Sequence, residues 1–263
     1  YWHSIAADPG IAQTHVNLGV LLAGQKRFAE AEAVYRDAID LEYDSAPAWS
    51  NLGVLQACQR QDDAAEASFR LAMLLAPDYA LARFNFSYLL LRQGRFAEGW
   101  QCLEARNWYA RLESLLDCPH WQGETLAGQS ILIGIEAGLG DMIQFCRYLP
   151  LLEARGARLS LVCQPALVRL FAALPGVERV IPLADLPAAR GDWDAWVPLM
   201  SLPRHFATRV DSIPAALPYL QAGAPERQAW RRRLPAAGLR VGLAWRGNPL
   251  HHNDRRRSLP DRK

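Results

Sequence analysis

The spacing of hydrophobic residues changes at about Pro119 and divides the chain into two regions. Before that point, apolar residues recur three and four positions apart, as on one face of a helix. After it, short apolar runs rich in β-branched residues alternate with segments of helical spacing. The pattern therefore predicts a helical region followed by an α/β region.

The helical region repeats itself every 34 residues. Small and aromatic residues return at that interval in the pairs Leu18-Gly19 and Leu52-Gly53, Ala31 and Ala65, Tyr35 and Phe69, and Ala38 and Ala72. The repeat length and its small residues resemble the tetratricopeptide repeat (TPR), which is a pair of antiparallel helices in close contact. Residues 12–45 and 46–79 are predicted to be two such repeats.

The third repeat, residues 80–113, is degenerate. Gly99 stands where the earlier repeats have Ala31 and Ala65, and Leu103 stands at the aromatic position. A terminal repeat loses its pattern when it faces something other than another repeat.

The same frame also extends backwards. Pro9 corresponds to Pro77, so Tyr1 falls within the second helix of a preceding repeat. We therefore expect residues 1–11 to be a partial repeat, with further repeats before it.

The TPR helices either hold an extended peptide or partner in a groove, or act as a spacer that packs on the next domain. The small number of well-formed repeats favours the spacer.

Five apolar runs in the second region are predicted to be strands buried on both faces. They are residues 130–135, 158–163, 178–183, 195–199 and 240–245. Met142, Phe145, Leu149 and Leu152 lie at helical intervals between the first two runs. Strands alternating with helices predict a parallel, doubly wound sheet, which binds ligands at the carboxyl ends of its strands.

Three loops are predicted at that edge: residues 136–141, 201–203 and 246–249. In the first loop, Gly138 and Gly140 allow a sharp turn and close approach of a ligand to the backbone. Ile143 stands where the dinucleotide fingerprint G-x-G-x-x-G needs its third glycine, which argues against a Rossmann dehydrogenase.

Asp141 closes the first loop and opens the next helix. One role for its carboxylate is the N-cap of that helix. The other is a general base at the crevice, accepting a proton from an acceptor hydroxyl. Spacing alone favours the cap.

Composition restricts the class of protein. The chain is 51% hydrophobic and 21% charged, which excludes a disordered or collagen-like protein. It contains no run of 18 apolar residues, so no membrane span is expected. Five cysteines without a C-x-x-C pair fit a reducing compartment, and we expect a cytoplasmic protein.

Basic residues are concentrated in residues 226–263, where eleven arginines and lysines face three acidic residues. This segment either favours an anionic partner or is a solvated end. The adjacent histidines at 251–252 are poorly placed to share a metal ion, and three neighbouring arginines would repel one, so no metal site is expected. The sequence lacks the interleaved aromatic and basic residues that are typical of a nucleic-acid-binding surface, so no nucleic-acid partner is expected.

Several short motifs follow one another in the second region. They are W-x-G-E-x-L-x-G at 121–128, E-A-G-L-G-D at 136–141, Q-F-x-R-Y-x-P-L at 144–151, and shorter ones at 200–203, 218–220, 245–249 and 257–260. In this order they resemble bacterial TPR proteins with a glycosyltransferase domain of GT-B type, similar to the heptosyltransferases of glycosyltransferase family nine. The resemblance covers essentially the whole chain. Ala137 departs from the glutamine usual in the second motif.

The resemblance implies a TPR helical-hairpin array (residues 1–117) followed by the Rossmann-like N-terminal half of a GT-B fold (118–225). Residues 226–263 would be a linker and the start of a second, donor-binding lobe, of which most is absent. In that family, an Asp in the Gly-Asp loop is the proposed base, and this role maps onto Asp141.

The implied reaction moves a sugar from a nucleotide-sugar donor to a protein or glycan acceptor without a metal or other cofactor. Asp141 is the candidate catalytic residue, and the candidate substrate-binding residues are Gly138, Leu139, Gly140, Gln144 and Ser201. From charge and position, Asn248, Arg257 and Ser258 are candidates to face the donor diphosphate. The alternative is a TPR interaction module with a non-catalytic α/β lobe.

Overall fold

A computed structural model describes residues 1–189, 191–235 and 237–239, and it contains both predicted architectures. One compact unit, Tyr1–Gln221, holds a helical array and a parallel sheet with its helices. The second unit, Ala222–Lys263, contains the helix Ala224–Arg233. None of the helices in the described ranges is long and apolar enough to cross a bilayer.

The array consists of consecutive antiparallel hairpins. Its helices are α1 (Trp2–Ala7), α2 (Ala12–Gly24), α3 (Phe28–Leu41), α4 (Ala46–Cys58), α5 (Asp62–Leu75), α6 (Ala80–Arg92) and α7 (Phe96–Leu103). The pairs α2–α3, α4–α5 and α6–α7 each form one hairpin, and neighbouring hairpins pack through α3 on α4 and α5 on α6. A short helix, α8 (Ala110–Glu113), follows the array.

The 34-residue repeat arises from the contact between the two helices of each hairpin. A side chain added at Gly19 would place its Cβ 2.3 Å from the ring of Tyr35, and one added at Gly53 would lie 3.0 Å from the ring of Phe69. Both rings are fully buried. The small residues are therefore needed because an aromatic ring occupies the space beside them.

The third hairpin departs from the pattern because its second helix packs on the sheet region. Helix α7 has 8 residues, whereas α3 has 14. Leu103 lies in the hydrophobic core that contains the sheet residues Ile131 and Leu159. The indole of Trp100 also donates a hydrogen bond to the carbonyl of Thr208 at 2.9 Å. The degenerate repeat thus faces a different neighbour, as expected.

Four parallel strands form the sheet in the order β3-β2-β1-β4. They are β1 (Ser130–Gly134), β2 (Arg158–Cys163), β3 (Val177–Pro182) and β4 (Ala195–Pro198). All five residues of β1 are buried, as the apolar run predicts. The prediction of burial on both faces is wrong for β3, because this strand lies at the edge of the sheet and exposes Glu178 and Arg179. The run at 240–245 lies outside the described residues.

Short helices connect and cover the strands. They are α9 (Leu139–Phe145), α10 (Leu149–Glu153), α11 (Val168–Phe171) and α12 (Leu202–His205), with 3-10 turns between them. A further helix, α13 (Ala224–Arg233), belongs to the second unit. Met142, Leu149 and Leu152 are buried in the core, as their spacing predicts. Phe145 is 9% exposed in the same core.

Replacement of Gly19 by alanine tests the hairpin contact. We expect Gly19→Ala to lower the free energy of unfolding by about 1–3 kcal/mol, since the new methyl overlaps the buried Tyr35 ring. Gly24→Ala is the control, because nothing lies within 4 Å of its added Cβ and alanine favours the helix. Urea unfolding followed by circular dichroism measures both. Equal stability of the two variants would show that the contact is not tight.

Candidate functional site

A buried ion pair joins the end of the helical array to the end of strand β1. Arg106 follows α7, and Glu136 follows β1. The guanidinium donates from Nε to Glu136 Oε2 at 2.6 Å and from Nη2 to Oε1 at 3.0 Å. Neither side chain is exposed to solvent. Burial by itself lowers the pKa of Arg106, but the hydrogen bond and charge of Glu136 outweigh it and raise that pKa above its usual value.

Neighbouring groups satisfy the other donors and acceptors of this pair. Glu136 Oε1 also accepts from the backbone amide of Met200 at 2.9 Å. Arg106 donates to Ser201 Oγ at 2.7 Å and to Glu104 Oε1 at 2.8 Å. The Ser201 hydroxyl in turn donates to Glu104 Oε2 at 2.9 Å. We call Glu104, Arg106, Glu136 and Ser201 the junction network.

The junction network leads directly into the predicted Gly-Asp loop. Ala137 has φ of 51°, in the left-handed region that disfavours residues with a side chain. Gly138 has φ of −91°. The sharp bend therefore lies at Ala137 and not at the glycines to which the sequence assigned it. Gln164, directly after β2, donates from Nε2 to the carbonyl of Ala137 at 3.3 Å and supports the bend.

Asp141 is not the N-cap of α9, which corrects that interpretation. Gly138 is the N-cap, and Asp141 is the third residue of the helix. Its Oδ2 accepts a hydrogen bond from the Gly138 amide at 2.9 Å, so the side chain reaches back to the cap. The carboxylate is half-buried, and no described residue donates to its other oxygen.

The remaining predicted site residues fall into three groups. Leu139, Gly140 and Gln144 are exposed on α9 beside Asp141. Ser201 is fully buried, and its hydroxyl belongs to the junction network, so it presents nothing to a ligand. Asn248, Arg257 and Ser258 lie outside the described residues.

Three aromatic side chains lie near this loop and had no signal in the sequence. Phe84 is half-buried and packs against the core of the sheet region. Its ring centroid lies 5.2 Å from Tyr88 and 5.1 Å from Trp108, with edge-to-face angles of 79° and 75°. Burial raises the pKa of Tyr88, and the charge of Asp141 raises it further, which reflects their proximity. We call Phe84, Tyr88 and Trp108 the aromatic cluster.

Two histidines near the junction serve as packing groups. His120 stacks on Trp196 with ring centroids 4.8 Å apart, and His205 packs against Trp121 at 4.5 Å. Burial lowers the pKa of His120 and lowers that of His205 to about 4, so both rings are neutral at pH 7. Within the described ranges, no group of three or more His, Cys, Asp or Glu side chains is arranged to hold a metal ion.

Comparison with known proteins identifies one of the repeats. The family model "Tetratricopeptide repeat" matches residues 12–45, which are α2, α3 and their flanking turns. Residues 12–45 are therefore a tetratricopeptide repeat, and the array as a whole is TPR-like.

A curated protein and three solved structures show further similarity. Protein FlbA of Caulobacter vibrioides is 27% identical over 211 residues, which are 69% of this chain and 34% of FlbA. This chain therefore spans about a third of that relative. PilF of Pseudomonas aeruginosa has a TM-score of 0.36 at 20% identity, covering 39% of this chain and 46% of PilF. MamA has a TM-score of 0.35 at 22% identity, and the match covers 40% of this chain and 61% of MamA. A mutant O-GlcNAc transferase of Thermobaculum terrenum has a TM-score of 0.37 at 15% identity, and the match covers 68% of this chain and 36% of the transferase.

The first helices of the three TPR hairpins (α2, α4 and α6) lie side by side and carry equivalent residues at 34-residue intervals. Asn17, Asn51 and Asn85 occupy one such position and are half-buried. Val20, Val54 and Tyr88 occupy the position three residues later and are exposed by 51%, 36% and 53%. These six residues form what we call the amide row. It contains no charged side chain.

Most of the amide capacity of the row is unused among the described residues. Asn17 Oδ1 accepts from Gln13 at 3.0 Å, and Asn85 donates to Ser50 at 3.4 Å. No described residue forms a hydrogen bond with the side chain of Asn51. An amide offers both donors and an acceptor, so the row presents paired polar groups beside apolar contacts.

Removal of the junction arginine tests the buried pair. We expect Arg106→Met to lower the free energy of unfolding by about 3–5 kcal/mol, because Glu136 would be left buried and unpaired. The control is Arg36→Met, since Arg36 pairs with Glu32 on the exposed face of α3. Urea denaturation should show a much smaller change for that variant. If Arg106→Met and Arg36→Met lower the free energy of unfolding by similar amounts, the junction pair does not have the structural role assigned to it.

Proposed function

We propose that the TPR array binds an extended segment of a partner polypeptide along the amide row. The observation that carries this proposal is the return of asparagine at the same position of three successive first helices. An extended chain presents unpaired N–H and C=O groups along its length. A side-chain amide pairs with such groups through one donor and one acceptor.

The apolar half of the row supports the same ligand. Val20, Val54 and Tyr88 are exposed beside the asparagines, and contact with partner side chains would remove apolar surface from water. Because the row lacks charge, its binding would depend on the partner backbone more than on the partner sequence. We therefore propose a sequence-tolerant protein-binding surface.

Asn51→Ala tests the row at its central residue. We expect it to weaken binding of a permanently unfolded probe, reduced and carboxymethylated α-lactalbumin, by about 2- to 12-fold, the value of one lost hydrogen bond. Fluorescence anisotropy with the labelled probe gives the dissociation constant. Gln25→Ala is the control, because Gln25 is an exposed amide in the turn after α2, outside the row. Undiminished affinity in Asn51→Ala would refute the proposal.

A second function is favoured by the loop that leaves β1. We propose that the sheet region is the acceptor-binding lobe of a glycosyltransferase that uses a nucleotide-sugar donor. Ligands of parallel sheets bind outside the carboxyl ends of the strands, and Asp141 lies there with one carboxylate oxygen not hydrogen-bonded to any described residue. The loop is also one of the motifs that resemble the heptosyltransferases, and this resemblance supports the same proposal.

The proposed reaction assigns one step to Asp141. Its carboxylate accepts the proton of an acceptor hydroxyl while that oxygen bonds to the anomeric carbon of the donor sugar. The bond from that carbon to the diphosphate breaks, and the nucleoside diphosphate leaves as an anion. Asn248, Arg257 and Ser258 would stabilise that charge without a metal ion.

Asp141→Asn tests the catalytic role without removing the cap. The asparagine oxygen still accepts from the Gly138 amide, so we expect unchanged thermal stability. We expect sugar transfer by the natural full-length protein, assayed with a panel of UDP-, GDP- and ADP-sugars, to fall about 100- to 10,000-fold. Transfer at the original rate would exclude Asp141 as the base. If the full-length protein shows no transfer with any donor, the non-catalytic TPR module is the better description.

A further inference from the structure

The aromatic cluster lies where the TPR array meets the Asp141 loop. Tyr88 ends the amide row, at the position that Val20 and Val54 occupy in the earlier repeats. Trp108 follows Arg106 by two residues, and Arg106 binds Glu136, which begins the loop. Phe84 also packs against the core that contains Met142 of α9, so the cluster adjoins the helix that carries Asp141.

Two rings of the cluster remain open to solvent although the third is anchored. Tyr88 is 53% exposed and Trp108 is 42% exposed. Both contact the half-buried Phe84 edge-to-face, so their orientation is supported while part of each ring is uncovered. Rings held in this way offer a contact surface that loses little conformational freedom on binding.

We propose that Tyr88 and Trp108 form a sugar-binding subsite for the acceptor, next to Asp141. This inference rests on the proposed glycosyltransferase function. It assigns to residues of the TPR array and its linker a direct part in binding a glycan acceptor.

The polar groups around the cluster favour a neutral, hydroxyl-rich ligand. Asn85 precedes Tyr88 by three residues on α6, and Gln144 follows Asp141 by three on α9, so each amide lies on the same helix face as its neighbour. A pyranose has an apolar face of C–H groups, which suits an aromatic ring, and a rim of hydroxyls, which suits amides and a carboxylate. A lipid chain would leave these polar groups unpaired.

Binding of simple oligosaccharides to the whole chain tests the subsite. The probes are maltopentaose, cellopentaose, chitopentaose and mannopentaose, followed by saturation-transfer NMR and by titration of tryptophan fluorescence. We expect at least one of them to bind, and Tyr88→Ala and Trp108→Ala each to weaken that binding by about 2- to 12-fold. Tyr88→Phe, which keeps the ring, should retain most of the affinity.

Tyr43→Ala is the matched control. Tyr43 is 62% exposed and contacts Trp49 edge-to-face at 5.8 Å, away from the cluster. The Tyr43→Ala substitution should leave the affinity for sugar unchanged, and thermal unfolding shows whether each variant is folded.

Two outcomes would overturn the inference. One is that none of the four oligosaccharides binds, or that binding is the same in Tyr88→Ala and Trp108→Ala as in the original chain. The other is that these variants lose affinity only for carboxymethylated α-lactalbumin, which would assign the rings to the polypeptide surface. Sugar binding needs no transfer and should persist in Asp141→Asn. Loss of the subsite is thus distinguished from loss of the proposed reaction.

Discussion

A buried ion pair, Arg106 with Glu136, joins the TPR array to the sheet region beside the apolar contacts of Leu103 and Trp100. Removing two charges from water is expensive, and their attraction compensates only when the remaining donors and acceptors are also bonded. Here Met200, Ser201 and Glu104 complete that bonding. The network connects the segment after α7 with the segments after β1 and β4.

The geometry of the candidate site follows from this constraint. Glu136 is fixed at the start of the loop, so the chain must bend at Ala137 despite the unfavourable φ. The bend allows α9 to begin at Leu139 and places Asp141 within reach of the Gly138 amide. Because Arg106 belongs to the linker after the array, the last TPR hairpin and the loop are positioned together.

The sequence predicted the elements that depend on local spacing. The first two TPR hairpins each bury an aromatic ring against a glycine, Tyr35 against Gly19 and Phe69 against Gly53, so a 34-residue period is sufficient to find them. The central strand β1 was equally visible because all of its residues are buried, whereas the prediction of burial on both faces is wrong for the edge strand β3, which exposes Glu178 and Arg179. The predicted boundaries agree with the structure to within one residue in the four strands described.

The contacts of the site could not be predicted in the same way. Arg106 and Glu136 are 30 residues apart and belong to different regions, and nothing in their spacing pairs them. A charge directly after the buried run of β1 was a signal that a partner exists, but many arginines were available. Ser201 is predicted to lie at the crevice because it follows a strand, but its side chain is buried and its hydroxyl accepts a hydrogen bond from Arg106. The left-handed bend was assigned to glycine on intrinsic preference, and surrounding contacts impose it on alanine instead.

Hydrogen–deuterium exchange in Glu136→Gln tests most directly whether the junction network fixes the loop. Glu32→Gln, which changes an exposed pair on α3, is the reference. The buried pair should hold the Gly138 and Met142 amides, so their exchange should become faster in Glu136→Gln while amides of α4 remain as protected as in the reference. Identical exchange of the loop amides in the two variants would contradict the central role of the pair.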